Sequence, residues 1–299
     1  MSVEKRAGSV AASGWINGLI GVVIFSGSLP ATRLAVADFS PLTLTVARAA
    51  IAGILGLLLL VIFRQPKPAR QQLWSLLVVA AGVVIGFPLL TALAVQQVTA
   101  AHSIVFLGLL PLATAACGVL RGGERPGGLF WVFAVAGSLL VAGFAASQTA
   151  GLPGRGDLLM LGAIVLCAIG YAEGARLTRT LGGWQVISWA LVIALPLMIL
   201  LLIFLWPANL AAVSPRGWFA LSYVALFSML IGFIFWYRGL AQGGIAAVGQ
   251  LQLLQPLLGL GLSATLLGEA VSPEMLLVSL GVILCVGWAK KCASPQAAR

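Results

Sequence analysis

The chain has 299 residues, of which 61% are hydrophobic and 8% are charged, and its formal net charge is +10. Soluble globular domains are about 25% charged and under half apolar, so this composition excludes a soluble protein coated by polar side chains. The basic residues lie at the ends of apolar runs, which favours a membrane surface over nucleic acid as the partner of the positive charge. The four cysteines include no CxxC spacing, so neither a disulfide framework nor a zinc site is indicated.

Ten apolar spans are predicted, each close to the roughly 20 residues that a helix needs to cross a bilayer. Unbroken apolar runs favour helices over the alternating strands of a membrane barrel. Short turns rich in proline and glycine separate the spans. We expect the first span to be retained, because it exceeds the roughly 7–15 residues of a signal-peptide core. The predicted spans are 12–33, 41–63, 72–95, 99–120, 128–146, 156–177, 184–205, 217–238, 244–267 and 274–291.

The basic residues also predict how the spans are oriented. With the N-terminus inside, thirteen lysines and arginines fall on the cytoplasmic side, three fall on the outer side, and Arg48 lies within the second span. Short loops rich in lysine and arginine stay in the cytoplasm. We therefore predict an all-α integral membrane protein with ten transmembrane helices and with both termini in the cytoplasm.

A motif occurs once in each half of the chain. The windows 102–124 and 247–269 are offset by 145 residues and share five identities in 23 positions, each with a central proline and a final Gly-Glu. The prolines are Pro111 and Pro256, and the glutamates are Glu124 and Glu269. Because each half holds five spans, an odd number, the second half must cross the membrane in the inverted direction. We predict two five-helix repeats, residues 1–150 and 151–299, an arrangement typical of alternating-access carriers.

These features together resemble the EamA-type drug/metabolite transporter superfamily and, within it, the YddG-type exporters of aromatic and other neutral amino acids. Arg48 in the run LTVARAA is similar to the second helix of the family's repeat, whereas the second half has Trp189 near the equivalent place. The resemblance implies a secondary transporter of the cell inner (plasma) membrane that exports amino acids or similar small metabolites. It also implies a central cavity surrounded by spans 1, 3, 4, 6, 8 and 9, with spans 2, 5, 7 and 10 at the periphery.

Candidate substrate-binding residues are sought at mid-depth in the spans that would surround this cavity. Aromatic side chains there would suit a flat apolar substrate by stacking, although packing and lipid contact are the alternative for each of them. The aromatic candidates are Phe25, Phe87, Phe106, Tyr171 and Trp236.

Polar candidates accompany the aromatic ones. Gln252 and Gln255 are three residues apart and share a helix face, and buried amides in hydrocarbon favour a cavity or a partner helix. Asn17 lies near the cytoplasmic mouth of the first span, where it could contact a zwitterion or a neighbouring helix. Pro111 and Pro256 each remove a backbone N–H, which predicts either a gating bend or a static kink.

Ionisable candidates are few. None of the seven acidic residues lies at mid-depth, so proton coupling is predicted to be weak or absent, or to run through Glu173 or His102. The alternatives are a surface ion pair of Glu173 with Arg176 and a local hydrogen bond of His102. Arg48 is predicted to extend to the outer surface in a structural role.

Other function classes have less support in the sequence. There is no nucleotide-binding motif and no room for an ATPase domain, and no cofactor or metal site is predicted. A channel or facilitator for small metabolites remains an alternative, although no ring of charges or carbonyl filter is evident. A membrane-embedded enzyme is less favoured, because the chain lacks HExxH, GxSxG and paired intramembrane aspartates. The oligomeric state is left open.

Overall fold

The computed structural model describes residues 3–122, 127–148, 154–205 and 210–292. Within these stretches the chain forms helices and no β-strand, and a helix covers each of the ten predicted spans. These are α1 (Val3–Ser26, continued by Ser28–Ala35), α2 (Pro41–Ile62), α3 (Arg70–Ala94), α4 (Ala100–Phe106, Leu107–Leu109 and Leu110–Gly122), α5 (Gly128–Gln148), α6 (Arg155–Leu181), α7 (Gly183–Leu205), α8 (Pro215–Gly243), α9 (Ile245–Leu267) and α10 (Pro273–Cys292).

Eight of these helices are long and apolar enough to cross a membrane by length and composition, namely all except α5 and α10. The two exceptions carry shorter apolar stretches, Gly128–Leu140 and Pro273–Cys285. Ten crossings and the orientation of the termini therefore stay predictions. The Gly123-Glu124 motif and the repeat boundary between residues 150 and 151 lie outside the described residues.

The helix boundaries follow from local turn chemistry. Ser40 and Ser214 each accept a hydrogen bond from the backbone N–H three residues later, and a proline opens both α2 and α8. Such serines satisfy an N–H that has no partner within the helix. Gly182 and Gly244 have φ of 90° and 89°, a conformation that favours glycine. Each therefore allows two helices to be joined by a very short turn.

Helices α1 and α8 approach each other closely through glycines. A Cβ atom built on Gly239 would lie 2.6 Å from the backbone nitrogen of Gly18, and one built on Gly14 would lie 2.6 Å from that of Gly243. Small residues allow helix backbones to come together in a membrane. The first helix of the first half, α1, and the third helix of the second half, α8, are thus packed backbone to backbone.

Four helices depart from regular α geometry at matching positions of the two halves. Helix α3 is π-helical over Ala80–Gly86 and α8 over Val224–Ile231, while α4 is 3₁₀-helical over Leu107–Leu109 and α9 over Gln250–Leu254. Departures of this kind within a helix are frequent at functional sites. They point to the centre of the bundle as the place to look for one.

The two repeated prolines explain the 3₁₀ segments. A proline has no N–H to donate to the carbonyl four residues earlier, which for Pro111 is Leu107 and for Pro256 is Gln252. The N–H of Leu110 donates to Leu107 instead, and that of Gln255 donates to Gln252. Each chain half thus tightens into a 3₁₀ turn immediately before its proline.

Candidate functional site

A small cavity lies where these irregular segments meet. Its volume is about 20 Å³, enough for one or two water molecules. Side chains from both chain halves surround it: Phe25, Ser28, Leu29, Arg48, Val83, Phe87, Pro88, Leu107, Leu110, Tyr171, Ser228, Phe233 and Gln255. The lining comes from α1, α3, α4, α6, α8 and α9, the helices that the resemblance implies, together with Arg48 of α2.

Aromatic rings form one wall of this cavity. The ring of Phe25 lies 6.4 Å from that of Tyr171 and 5.0 Å from that of Phe233, between centroids. The Trp236 ring lies 5.4 Å from Tyr171 and is fully buried behind this wall. Of the predicted candidates, Phe25 and Tyr171 lie in this wall, and Phe87 lines the cavity as well. Trp236 supports the wall from behind.

A second wall of the cavity is polar. It includes Arg48, the one charged side chain among the described residues that line the cavity. Arg48 Nη2 donates to Ser228 Oγ at 3.0 Å, and Ser228 Oγ lies 2.7 Å from Ser28 Oγ. Arg48 is only 5% exposed. The prediction that it extends to the outer surface is therefore wrong: its side chain points to the centre, because α2 turns this face toward α8.

The two candidate glutamines are placed differently. Gln255 lines the cavity, and its Nε2 donates to the carbonyl of Phe25 at 3.4 Å. Gln252 is fully buried, is not among the cavity-lining residues, and neither of its amide atoms has a hydrogen-bond partner. The structure therefore joins Gln255, but not Gln252, to the aromatic wall.

Replacing Gln252 by methionine is expected to stabilise the protein. Methionine has a similar shape, and the change removes two buried polar atoms that have no partner, each costing about 1–3 kcal/mol. The expected result is a higher unfolding temperature of the purified protein in detergent. The exposed Gln97 provides the matched control, since Gln97→Met removes no buried polar atom. A lower unfolding temperature for Gln252→Met would contradict the observation that the Gln252 amide is buried without a hydrogen-bond partner.

At one end of the bundle, Asn17 links two helices. Its Nδ2 donates to Gln242 Oε1 of α8 at 3.2 Å and to the Ser13 carbonyl at 2.9 Å. Asn17 does not line the cavity. It instead joins α1 to α8 between the cavity and this end, which we call the Asn17 side.

The opposite end, the His102 side, is closed by His102 and two acidic side chains. His102 Nε2 lies 2.7 Å from Asp157 Oδ1, and Asp157 also accepts from the N–H of Gly154 at 2.8 Å. The ring of His102 lies 5.4 Å from that of Phe106, between centroids. Neither His102 nor Phe106 lines the cavity. Asp157 is not among the residues predicted from the sequence. The sequence could have indicated it, because it lies in the first turn of a predicted helix on the same side of the membrane as the single histidine.

The repeated Gly-Glu motif has a physical role on this side. Gly268 takes the left-handed conformation, with φ of 66°, and ends α9. The carboxylate of Glu269 then accepts from the N–H groups of Ala100 and Ala101 at 3.2 and 2.8 Å. A carboxylate is stabilised at a helix N-terminus, so this motif joins the end of α9 to the start of α4.

Glu173, the other candidate for proton coupling, is buried in α6. Its Oε1 accepts from Arg176 Nη2, and the same Arg176 nitrogen donates to Ser75 at 3.0 Å. Glu173 is not among the cavity-lining residues. Within the described residues, no group of three His, Cys, Asp or Glu side chains could hold a metal ion.

Comparisons with known proteins agree with this architecture. The model of the EamA-like transporter family matches the chain twice, at residues 12–145 and 154–288. An uncharacterized transporter, YdeK of Bacillus subtilis (strain 168), is 65% identical over 281 residues, which cover 94% of this chain and 98% of that protein. A protein of known crystal structure superimposes with a TM-score of 0.72 at 19% identity, over 94% of this chain and 98% of its own, a likeness of fold alone.

Proposed function

Because the chain belongs to the EamA-like transporter family, and is thus a multi-pass membrane transporter, we propose that it exports amino acids, aromatic and other neutral ones, or similar small metabolites. Export proceeds across the cell inner (plasma) membrane by alternating access to the central cavity. The YddG-type exporters are the group whose activity this proposal follows.

The cavity with one aromatic and one polar wall is the observation that carries this proposal. Phe25, Tyr171 and Phe233 offer rings to an apolar side chain, while Ser28, Ser228 and Arg48 offer hydrogen-bond donors to a polar head. Small-molecule sites are commonly of this kind, mostly apolar with a few placed polar groups. An amino acid with an apolar side chain has the matching two-sided chemistry.

The size of the cavity supports alternating access. Ligand pockets have volumes of roughly 300–1,000 Å³, whereas this cavity has about 20 Å³. The described state is therefore closed around its centre, and substrate can enter only when one side opens. The two ends are held by different contacts, Asn17 with Gln242 on one side and His102 with Asp157 on the other.

The two family matches support two repeats joined near residues 150 and 151. We propose that the second repeat is inverted and that both termini are cytoplasmic, because an odd number of spans per repeat requires the inversion. The Asn17 side then faces the cytoplasm and the His102 side faces the exterior.

Counterflow tests the proposed function. Proteoliposomes loaded with unlabelled amino acid are expected to accumulate the labelled amino acid, with saturation and with stimulation by substrate on the opposite side. A linear flux without such stimulation would favour a channel or facilitator instead. If none of the tested amino acids is accumulated, the proposed substrate class is wrong.

Proton coupling is tested separately. The counterflow measurement is repeated with and without a pH gradient, on the unaltered protein and on His102→Gln and Glu173→Gln.

A further inference from the structure

Arg48 is a buried cation without an anionic partner. It is 5% exposed, its one hydrogen bond goes to the neutral hydroxyl of Ser228, and its Nε has no partner. No aspartate or glutamate in the described parts of the chain forms an ion pair with it. An uncompensated buried charge is strongly unfavourable, so its place in the core requires a compensating role.

The surroundings of Arg48 restrict that role to the cavity. Arg48, Ser28 and Ser228 lie together on the polar wall and present N–H and O–H groups to the same space. Guanidinium groups bind carboxylates through paired, charge-assisted hydrogen bonds. The polar wall thus has the donors that a carboxylate needs and no anion that would compete for them.

The charge belongs to one repeat only. In the second half, Trp189 lies near the position equivalent to Arg48, and the fixed offset of 145 residues leads to Ile193. Neither side chain is charged, so the second half supplies neither a second cation nor a balancing acid. None of the described residues that line the cavity is acidic. An ammonium group would meet hydroxyls, aromatic rings, which attract cations only modestly, and the neutral amide oxygen of Gln255, which has no other partner. A carboxylate would meet a full positive charge.

We propose that Arg48 binds the carboxylate of the substrate, and that this cavity therefore selects small organic acids with an apolar, commonly aromatic side chain, whether or not they carry an ammonium group. The inference rests on the proposed function, because it concerns the same cavity. It extends that function, since it makes the carboxylate required and the ammonium dispensable.

Competition against labelled phenylalanine in counterflow tests this selection on the unaltered protein. Phenylpyruvate, which has the carboxylate but no ammonium, is expected to compete within about threefold of phenylalanine itself, since it keeps the charge-assisted bonds. Phenylalaninamide, which has the ammonium but no carboxylate, is expected to compete at least about tenfold more weakly, because it loses a hydrogen bond to the charged Arg48. Equal competition by the amide would overturn the proposal.

Direct binding separates this inference from the proposed function. Ligands that bind the folded state raise its unfolding temperature, so phenylpyruvate and phenylalaninamide can be compared on the purified protein without any transport. Stabilisation by phenylpyruvate in the absence of amino-acid counterflow would leave the carboxylate site standing while the proposed substrate fails. Stabilisation by the amide alone, or by neither compound, would overturn the inference.

Variants locate the effect at Arg48. Arg48→Gln is expected to weaken phenylpyruvate binding at least about tenfold and to leave phenylalaninamide binding unchanged, because only the carboxylate loses a partner. Arg48→Lys, which keeps the charge, should retain part of the affinity. The matched control is Arg216→Gln, at an exposed position outside the cavity. Equal weakening of both ligands by Arg48→Gln would indicate a structural role; if the variant fails to fold, the ligand comparison on the unaltered protein decides.

Discussion

Gly239→Val is expected to abolish transport and to lower the unfolding temperature of the purified protein. A Cβ atom at this position would lie 2.6 Å from the nitrogen of Gly18 and 2.9 Å from the carbonyl oxygen of Gly14. Both are backbone atoms, which cannot turn aside as a side chain can, so α1 and α8 must move apart along their contact. Overpacking of a well-filled interior typically costs about 1–3 kcal/mol and sometimes more.

Gly261→Val is the matched control for this substitution. Gly261 is also a helical glycine, in α9, but a Cβ atom there meets nothing within 4 Å besides the backbone of its own helix. Both variants carry the same intrinsic change in helix propensity, so only the contact differs between them. Counterflow per unit of folded protein and the unfolding temperature are measured for both. Wild-type transport by Gly239→Val would show that the close α1–α8 contact is not needed.

Helix positions could be predicted from the sequence because the signals were local. Apolar runs set the extents of the spans, and residues such as Ser40-Pro41, Ser214-Pro215 and Gly182 set their ends through caps and positive φ. Each of these signals depends on a few neighbouring residues. The number of membrane crossings and their orientation depend on the bilayer as well, so they remain predictions here.

The aromatic part of the site could also be predicted, because depth along a span decides most of it. Phe25, Phe87 and Tyr171 lie near the middle of their helices and line the cavity. Depth does not give the direction in which a side chain points. The sequence prediction for Arg48 is wrong and that for Gln252 is ambiguous for this reason. The face of α2 or α9 that turns inward is determined by packing against other helices.

The irregular segments divide in the same way. Pro111 and Pro256 are visible in the sequence, and their missing N–H groups account for the 3₁₀ turns of α4 and α9. The π segments of α3 and α8 are harder to predict, since Pro88 follows the first while no proline follows the second. The irregular segments nonetheless lie at matching positions of the two halves, so four helices with interrupted α-helical hydrogen bonding surround one cavity. A regular α-helix would resist bending at these places more strongly.

This arrangement makes the contacts at each end the ones that hold the cavity closed. On the His102 side, Glu269 and Asp157 join α9 to α4 and α4 to α6. On the Asn17 side, the glycine contact and the Asn17–Gln242 hydrogen bond join α1 to α8. If access alternates, α1 and α8 must separate on the Asn17 side in one state and remain joined there in the other.

Holding Asn17 and Gln242 together is therefore expected to stop transport. Cysteines at these two positions, linked by a short bis-methanethiosulfonate, would keep the Asn17 side closed, and counterflow should fall below about a tenth of its value before linking, as for a locked gate. A thiol reductant cleaves the link and should restore the flux. Native cysteines are first replaced by alanine, at Cys117, Cys167, Cys285 and Cys292.

The two single-cysteine variants, Asn17→Cys and Gln242→Cys, control for the reagent. Each can react with the thiosulfonate but cannot form the link between α1 and α8, so counterflow should persist in both. Loss of flux in the linked double variant alone would then be due to the restraint and not to the loss of the hydrogen bond, which the single variants also lack. Undiminished flux at complete linkage would mean that α1 and α8 stay joined throughout the cycle. The cavity would then have to open between other helices, and the close glycine contact would be a fixed hinge of the bundle instead of its gate.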